Sequence, residues 1–417
     1  MPEKAEHPGR IVIVGGSVAG ARTAQALRAE GFAGELIVVE PDTGEAYDRP
    51  PLSKAYLTGA WTREQIELIP GGWASIDVTV VQAWADSLDA QARRLTLSNG
   101  ETLDYDRLVI ATGLAPRRLL TTDGAPIGHV IGTAADADAL RDRLKSGGSV
   151  VAIGGGFVAA EAASVARELG LSVTILERRE HLLQRSLGTV VGAHISEMHR
   201  ANGVDIRNNV TVESIERDGE GALLALSDGT RLQAETLIVG IGSEPNTAWL
   251  EGSTIKVDDG VVTDARFRAL GGPGVYAVGD IARFYDVNSA KSRRVGHWTN
   301  ATDQSNVVAH NLLNPDDPNG YREAPYFWSD QFGQKIQVAG HPEEDAHVDV
   351  LTLDGPVPRL VAVYTHGDDQ DCGAVVTFGW PRGMAAARRL MHLEPKSAEM
   401  IEELEKLAAG ARTPVPA

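Results

Sequence analysis

The chain has 417 residues, with 57 Asp and Glu against 39 Lys and Arg, and so carries a formal net charge of −18. This charge disfavours binding to a nucleic-acid backbone, and a single cysteine, Cys372, excludes an internal disulfide, a CxxC centre and a four-cysteine zinc site. No stretch approaches the roughly 20 apolar residues of a membrane helix, and residues 1–10 lack the apolar core of a secretory signal. We therefore predict a soluble, cytoplasmic protein of two or three domains with no metal site.

The first predicted unit is a βαβ segment at residues 10–40. An apolar strand leads to Gly15, Ser17 and Gly20, then a helix, and a second strand ends at Glu40. In this pattern the first glycine makes a tight turn, the second lets the backbone approach a pyrophosphate, and the third lets helix and strand pack closely. Ser17 replaces the usual middle glycine, and its hydroxyl can donate to the pyrophosphate. Glu40 is expected to accept a hydrogen bond from a ribose 2′-OH.

The next predicted elements complete this first domain. Residues 77–97 alternate in polarity and precede Asn99-Gly100, which predicts a small antiparallel meander with a tight turn. Residues 103–113 form an apolar closing strand that ends in Ala-Thr-Gly113.

A second copy of the same pattern follows at residues 149–177. Its turn positions are Gly154, Gly156 and Ala159, and its second strand ends at Glu177. A second alternating segment at 205–226, a turn at 228–229 and a closing strand at 234–242 repeat the first domain. Two copies in complete βαβ context favour two dinucleotide-binding sites over two simple glycine-rich turns.

The remaining elements predict a return to the first domain and then a third region. Residues 274–280 read as a strand that ends in Gly-Asp, and the Asn-, Asp- and Pro-rich residues 314–320 read as a linker. From about residue 324 we predict strands at 335–338, 359–364 and 374–378, a helix at 398–407 and a loose tail.

Two motifs narrow the interpretation, Arg49-Pro-Pro-Leu-Ser-Lys54 and Pro325-Tyr-Phe-Trp-Ser-Asp-Gln331. Together with the two fingerprints, the Ala-Thr-Gly113 strand end and Val278-Gly-Asp280, they make the chain resemble the FAD-dependent NAD(P)H:ferredoxin reductases of oxygenase systems. These are the enzymes of the putidaredoxin reductase and biphenyl dioxygenase reductase type, with the two-dinucleotide fold of glutathione reductase.

The resemblance implies an α/β protein with two Rossmann-like dinucleotide-binding domains, for FAD and NAD, and a C-terminal α+β domain. The implied FAD domain comprises residues 1–114 and 246–322. The implied NAD(P) domain comprises residues 115–245, and the C-terminal reductase domain comprises residues 323–417.

The resemblance also implies the cofactor-binding residues. Those expected at FAD are Gly15, Ser17, Ala19, Gly20, Glu40, Arg49, Lys54, Ala83, Ala111, Gly113, Glu161, Gly279, Asp280 and Trp298. Those expected at NADH are Gly154, Gly156, Phe157, Val158, Glu177, Arg185 and Gly242. Asp280 is expected at the ribityl chain and Trp298 beside the isoalloxazine. The chain departs from the family at Gly132, where an Arg is usual, and at Gly296, where a Glu is common.

The implied reaction passes a hydride from the nicotinamide to the flavin and then single electrons to an iron–sulfur carrier, so that the protein positions and tunes the cofactor. Lys54 and Glu161 are the expected catalytic pair beside the flavin, and Trp328 is expected over the flavin edge. Each also has a simpler interpretation: Lys54 as a solvated loop residue, Glu161 as an ordinary helix residue, and Trp328 as core. His297 fits an acid/base role and a packing role equally well.

A disulfide-reductase mechanism is excluded because no cysteine follows the Glu40 strand, where those relatives place a CxxxxC pair. We interpret Cys372 as a small buried hydrophobic residue. Three alternatives to a ferredoxin reductase stay open: a rubredoxin reductase, an NADH oxidase or quinone reductase, and a redox-controlled interaction protein like apoptosis-inducing factor.

Coenzyme and partner follow from charge. Glu177 repels a 2′-phosphate and favours NADH, whereas the adjacent Arg178 and Arg179 can accommodate that phosphate, so we predict NADH preference with measurable NADPH activity. The expected partner is an acidic iron–sulfur ferredoxin, bound transiently by a basic patch that includes Lys291, Arg293 and Arg294. We expect a monomer or weak homodimer.

Overall fold

The computed structural model describes residues 8–286, 291–321, 325–353, 359–367 and 370–410. The α-helices in these ranges are α1 (Val18–Ala29), α2 (Ala134–Lys145), α3 (Phe157–Glu168), α4 (Gln184–Ala201), α5 (Trp298–Leu313), α6 (Pro381–Met391) and α7 (Ser397–Gly410). Helix α4 contains a kink at Gly188, whose φ is +68°. The predicted helix at 398–407 is therefore confirmed as α7, and the predicted tail beyond residue 410 lies outside the described residues.

The β-strands of the described residues are β1 (Arg10–Val14), β2 (Glu35–Val39), β3 (Thr79–Val81), β4 (Ala85–Asp89), β5 (Arg94–Leu97), β6 (Thr102–Asp104), β7 (Arg107–Ile110), β8 (Leu114–Pro116), β9 (Leu119–Leu120), β10 (Pro126–Ile127), β11 (Ser149–Ile153), β12 (Ser172–Glu177), β13 (Asp205–Asn208), β14 (Val212–Asp218), β15 (Gly221–Leu226), β16 (Arg231–Ala234), β17 (Thr236–Val239), β18 (Ser243–Pro245), β19 (Val261–Val262), β20 (Val275–Ala277), β21 (Ala282–Asp286), β22 (Lys291–Arg294), β23 (Tyr326–Gln331), β24 (Gln334–Gly340), β25 (His347–Leu353), β26 (Arg359–His366) and β27 (Asp371–Phe378).

The chain divides into two compact units. Unit 1 comprises Met1–Pro50, Trp61–Ala115 and Ser243–Glu323, and unit 2 comprises Pro51–Ala60, Pro116–Gly242 and Ala324–Ala417. The predicted boundary between residues 322 and 323 lies outside the described residues. The assignment of FAD and NAD to particular domains stays a prediction at this point.

Unit 1 is built on a parallel sheet of order β20-β7-β1-β2-β3. The central strand β1 is apolar and buried on both faces, as parallel strands covered by helices are. Strand β20 pairs with β7, which confirms the predicted return of the chain to this domain. Strands β4, β5 and β6 form the predicted meander, with its turn at Asn99-Gly100.

Unit 2 repeats this arrangement with the parallel sheet β13-β12-β11-β17 and the meander β14-β15-β16. In both units the sequence-based boundary of the meander was wrong, because β3 and β13 are edge strands of the parallel sheets. An edge strand exposes part of its surface, so its side chains alternate in polarity as those of an antiparallel strand do.

The C-terminal part of unit 2 is an antiparallel sheet of order β23-β24-β27-β26-β25, in agreement with the α+β prediction. Successive residues of β26 face opposite cores. Ala362 and Tyr364 belong to the core that also contains β11 and α3, whereas Val361 and Val363 pack with Met400 of α7. The sheet is thereby buried on both faces, which explains its continuous apolar runs.

Candidate functional site

The first glycine loop connects β1 to α1, and its shape requires glycine. Gly15 has φ +105°, and a Cβ there would lie 2.4 Å from the carbonyl oxygen of Ala111. A Cβ on Gly20 would lie 1.9 Å from the carbonyl oxygen of Gly15, so helix and loop approach too closely for any side chain. Ser17 occupies the N-cap of α1 in extended conformation, and its hydroxyl does not cap the helix.

The second glycine loop connects β11 to α3 in the same way. Gly154 has φ +99°, and a Cβ there would lie 2.4 Å from the carbonyl oxygen of Gly240. The N-cap residue Gly156 has an extended conformation close to that of Ser17, but a Cβ there would meet no atom nearer than 3.9 Å. Packing within the protein therefore does not require glycine at position 156. A ligand that approaches the backbone there would require it.

The N-termini of α1 and α3 are suited to anions. Neither helix has an acidic residue in its first turn. The Ser17 side chain accepts no hydrogen bond from a backbone N–H group of α1, and Gly156 has no side chain that could do so for α3. The free N–H groups and the helix dipole together attract a phosphate. Phe157 and Val158 begin α3, where their backbone amides stand at this terminus.

The two predicted ribose residues have an additional role that the sequence did not show. The Glu40 carboxylate accepts hydrogen bonds from the amides of Gly16, at 2.5 Å, and Asp42, at 3.1 Å. The Glu177 carboxylate accepts from Gly155, at 2.5 Å, and from an amide two residues after itself, at 2.8 Å. Each glutamate thus fixes its glycine loop, and each carboxylate retains lone pairs for a ribose hydroxyl.

A small cleft opens beside the first loop. It is lined by Gly16, Ser17, Glu40, Asp42, Gly44, Glu45, Ala46, Tyr47, Arg49 and Trp73. The Arg49 Nε is buried without a hydrogen-bond partner among the described residues. A bound ligand in this cleft would supply an acceptor for it. The sequence-based prediction missed Trp73 and five residues that follow β2, namely Asp42, Gly44, Glu45, Ala46 and Tyr47. The position of these five was a usable signal, because ligands bind at the carboxyl ends of parallel strands.

Unit 1 brings the later predicted FAD residues to the first loop. A Cβ on Gly279, whose φ is +76°, would lie 2.7 Å from the Ala19 Cβ, so the Gly-Asp turn packs against α1. Burial raises the pKa of Asp280, and the positive charges of Arg49 and Arg294 partly offset this rise. Trp298 begins α5, and its indole N–H donates to Asp48 at 2.6 Å.

The other predicted FAD positions lie in or beside the same sheet. Ala83 and Ala111 are buried, and Gly113 has φ +60°. The glycine cradle, the open helix N-terminus and the unpartnered Arg49 nitrogen fit a dinucleotide such as FAD. The specific contact of each predicted residue with FAD stays a prediction.

Lys54 and Glu161 form an ion pair in unit 2, in which Glu161 is buried and Lys54 is half-buried. Glu161 is only 4% exposed, and its Oε2 lies 2.6 Å from the Lys54 Nζ. The hydroxyl of Ser53 donates to the same oxygen, and that of Ser329 donates to Oε1 at 2.5 Å. The simpler interpretation of Lys54 as a solvated residue was wrong, and sequence reasoning missed both serines although each lies in a motif it singled out.

The network continues from Ser329 into the core of unit 2. The Gln331 amide donates to the Ser329 hydroxyl at 2.9 Å, and its Oε1 lies 2.8 Å from the His199 Nε2. Burial lowers the pKa of His199 to about 4. The imidazole is therefore neutral near pH 7, and its Nε2–H donates to Gln331. Helix α4 and strand β23 together fix the hydrogen-bond donor of Glu161.

Trp328 lies on the opposite face of β23 from Ser329, because neighbouring residues of a strand point to opposite faces. It is half-buried, its ring centroid is 6.1 Å from that of Tyr326, and the Lys335 Nζ lies 5.6 Å from it. The interpretation of Trp328 as a core residue is not supported. Phe327, on the other face, makes an edge contact with Phe157 at 5.2 Å.

The remaining NAD-site predictions are exposed. Arg185 lies at the start of α4, and Gly242 has φ +99° in open space.

His297 is the N-cap residue of α5, and burial lowers its pKa to about 4.

The two departures from the family fit their surroundings. A Cβ on Gly132 would lie 2.7 Å from the Pro116 ring, so the usual Arg has no room there. A Cβ on Gly296 would lie 3.5 Å from the Asp280 carboxylate, where an acidic side chain would add like charge.

The predicted basic patch carries less net positive charge than its sequence indicated, because two of its three residues are paired with carboxylates. Arg293 pairs with Asp286 at 3.1 Å and Arg294 with Asp259 at 3.0 Å, whereas Lys291 is exposed. Both arginine charges are offset because β21 and a nearby turn supply carboxylates that sequence reasoning did not place there.

Cys372 is buried, and burial raises the pKa of its thiol to about 12, which confirms its interpretation as a small apolar residue. Within the described residues, no helix has the length and apolarity needed to cross a membrane.

Comparisons with known proteins agree with this geometry. The pyridine nucleotide-disulphide oxidoreductase pattern matches residues 9–305, and the reductase C-terminal pattern matches residues 326–404. The chain is 38% identical over 403 residues to the ferredoxin–NAD(+) reductase component of a p-cumate 2,3-dioxygenase system from Pseudomonas putida, which covers 92% of this chain and 93% of that protein. It is 35% identical over 374 residues to putidaredoxin reductase from Pseudomonas putida, with 86% of each chain covered.

Solved structures extend the likeness to the fold. The covalent putidaredoxin reductase–putidaredoxin complex matches with a TM-score of 0.87 and 29% identity, over 98% of this chain and 100% of that chain. The prediction of two dinucleotide-binding domains followed by a C-terminal reductase domain is confirmed.

Proposed function

The chain belongs to the pyridine nucleotide-disulphide oxidoreductase family, and from that membership we propose that it is an FAD-dependent reductase that carries electrons from NADH to an iron–sulfur ferredoxin serving a cytochrome P450 or a ring-hydroxylating oxygenase. The observation that carries the proposal is the combination of two glycine cradles with one buried, inert cysteine. Such a chain has two dinucleotide sites and no thiol to relay electrons. The reductase components among its relatives support the same assignment.

The residues of unit 1 fit the FAD site. FAD, when bound, accepts a hydride from NADH and releases its two electrons singly to a one-electron carrier. The α1 N-terminus and Ser17 hold the pyrophosphate, Glu40 holds the adenosine ribose, and Arg49 supplies a positive charge in the cleft. Asp280 orients the ribityl hydroxyls, which donate hydrogen bonds to its carboxyl oxygens.

The second glycine loop fits the nicotinamide cofactor. Gly154 and Gly156 shape the turn, the α3 N-terminus meets the pyrophosphate, and Glu177 accepts from the ribose hydroxyls. A carboxylate at that position repels a 2′-phosphate, so NADH is the preferred donor. A higher kcat/KM for NADPH than for NADH would contradict this assignment.

We further propose that the Lys54–Glu161 pair tunes the flavin. Glu161 is buried, Lys54 is half-buried, and two serine hydroxyls donate to the carboxylate, so water screens the charges of the pair less than it screens those of a surface pair. Lys54→Met should lower the flavin midpoint potential, because it removes a positive charge that favours the reduced cofactor. Lys145→Met is the matched control, since Lys145 forms a surface pair with Asp142. Equal potentials in both variants would show that the pair is only structural.

The ferredoxin partner requires a local positive surface, because the chain as a whole is acidic. Helix α6 offers one, since Arg382, Arg388 and Arg389 are exposed and have no ion pair within the described residues. The Arg388 guanidinium lies 4.2 Å from the Tyr326 ring centroid, which fixes its position. We propose this surface, with Lys291 as a second candidate, for docking. The ferredoxin KM should rise with ionic strength and with Arg388→Gln, whereas a KM indifferent to both would exclude α6.

The experiment that tests the function uses the FAD-loaded enzyme. Stopped-flow mixing with NADH should bleach the flavin absorbance quickly, and addition of purified ferredoxin should then restore it with turnover. Fast bleaching without ferredoxin turnover would refute a ferredoxin reductase. Turnover with rubredoxin, quinone or oxygen alone would favour the corresponding alternative, and slow reduction with redox-dependent association would favour an interaction protein.

We also propose that the enzyme works in the cytoplasm as a monomer or weak homodimer. The net charge of −18 keeps copies of the chain apart. Sedimentation at several protein concentrations tests the oligomeric state, and a concentration-independent dimer would contradict the proposal.

A further inference from the structure

We propose that Glu344, in the C-terminal part of the chain, is a coenzyme-specificity residue: it holds the Arg179 guanidinium and thereby reserves the second dinucleotide site for NADH. The inference rests on the proposed function, which places NADH at the β11–α3 loop. Glu344 does not touch the coenzyme in this proposal, and it acts through Arg179.

Arg179 stands where it can decide between the two coenzymes. It follows Glu177 by two residues, and its backbone amide donates to the Glu177 carboxylate at 2.8 Å. Its carbonyl accepts from the Asn209 amide at 3.2 Å, so the backbone is fixed on both sides. A guanidinium at this place is the usual partner of a 2′-phosphate, the group that distinguishes NADPH from NADH.

In the structure this guanidinium is already paired with the carboxylate of Glu344. The Arg179 Nη1 forms an ion pair and hydrogen bond with the Glu344 Oε1, and the side chains are 32% and 30% exposed. Both residues belong to unit 2. The pair offsets the charge that a 2′-phosphate would need, while Arg178 stays exposed as a cation for residual NADPH use.

The loop that carries Glu344 is held against the NAD-binding part of unit 2. Its start is fixed by the His341 amide, which donates to the Gly373 carbonyl at 2.9 Å, and Ala346 at its end packs on the core. A Cβ on Gly188 would lie 3.1 Å from the Glu344 carbonyl oxygen, so glycine at the α4 kink lets the loop come this close. The contact with Arg179 is therefore part of the packed structure.

The physical consequence is a penalty on NADPH. To bind a 2′-phosphate, Arg179 would have to leave Glu344, and the ion pair that its guanidinium already makes would be lost. NADH has no phosphate at that position and does not incur this cost. Specificity thus comes from the prior engagement of Arg179 as well as from Glu177.

The test measures binding of NAD⁺ and NADP⁺ to the FAD-loaded enzyme by calorimetry, without turnover. Glu344→Gln should tighten NADP⁺ by about fivefold relative to NAD⁺, the value for one unit-charge contact in a water-like surrounding. Asp345→Asn is the matched control, because it neutralises the adjacent exposed carboxylate and should leave the ratio within about twofold. FAD absorbance confirms that each variant is folded.

Combination with Arg179→Gln separates the proposed mechanism from a general charge effect. The gain from Glu344→Gln should largely vanish in the Arg179→Gln background, since the pair is the proposed device. An unchanged ratio in Glu344→Gln, an equal gain in Asp345→Asn, or a full gain without Arg179 would each overturn the inference. Failure of the unmodified enzyme to bind NAD⁺ would instead refute the proposed function, and with it the premise of this inference.

Discussion

The buried His199 makes a sharp prediction about acid stability. Its ring is fully buried, its Nε2–H donates to Gln331, and its Nδ1 has no hydrogen-bond partner within the described residues. Protonation would place a charge and an unpaired N–H in the core of unit 2. Burial accordingly lowers the pKa of His199 from 6.5 to about 4.

The sign and size of the effect follow from linkage. Because the folded pKa lies below the unfolded one, the unfolded state binds more protons between pH 6.5 and pH 4, and stability falls as the pH falls through this window. From pH 7 to pH 4.5 the loss of unfolding free energy attributable to His199 is roughly 2 to 3 kcal/mol.

The assay is urea denaturation of the FAD-loaded protein at pH 7 and pH 4.5. His199→Gln keeps an amide that can donate to Gln331 and cannot be protonated. Its loss of stability between the two pH values should therefore be smaller by roughly 2 to 3 kcal/mol than that of the unmodified protein. His347→Gln is the control, because that side chain is 72% exposed and should change nothing. The same pH dependence in His199→Gln and in the unmodified protein would refute the reasoning.

The remaining predictions concern the glycine loops and the cysteine. Gly20→Ala should lose FAD on gel filtration, because its Cβ would lie 1.9 Å from a backbone oxygen, and a full FAD-to-protein absorbance ratio would contradict this. Gly156→Ala should unfold at the same temperature as the unmodified protein yet bind NAD⁺ more weakly, since its Cβ meets only the space predicted for the ligand. Unaltered NAD⁺ affinity would show that the pyrophosphate lies elsewhere. Cys372 should react with a thiol reagent only after denaturation, because burial raises its pKa to about 12, and rapid labelling of the native enzyme would disprove that.

Sequence reasoning recovered the features that depend on local spacing. The apolar runs of β1 and β11, the glycine turns and the terminal Glu40 and Glu177 lie within about thirty residues of each other in each copy, so their pattern is visible without a structure. The edge strands β3 and β13 were misassigned because half-exposed parallel strands and antiparallel strands share the same alternation. The net positive charge of the surface around Arg293 and Arg294 was also overestimated, because the sequence does not show which carboxylates lie beside them.

The sequence by itself thus determined the two dinucleotide-binding units, the family and the absence of a second cysteine for a thiol relay. Tertiary structure alone decided which distant side chains meet. Ser53, Glu161, Ser329 and His199 join one buried network although they come from four separate parts of the chain. Glu344 reaches Arg179 across 165 positions. A hydrogen bond or ion pair depends on distances of a few ångströms in space, and sequence separation does not report those distances until the packed core has fixed them.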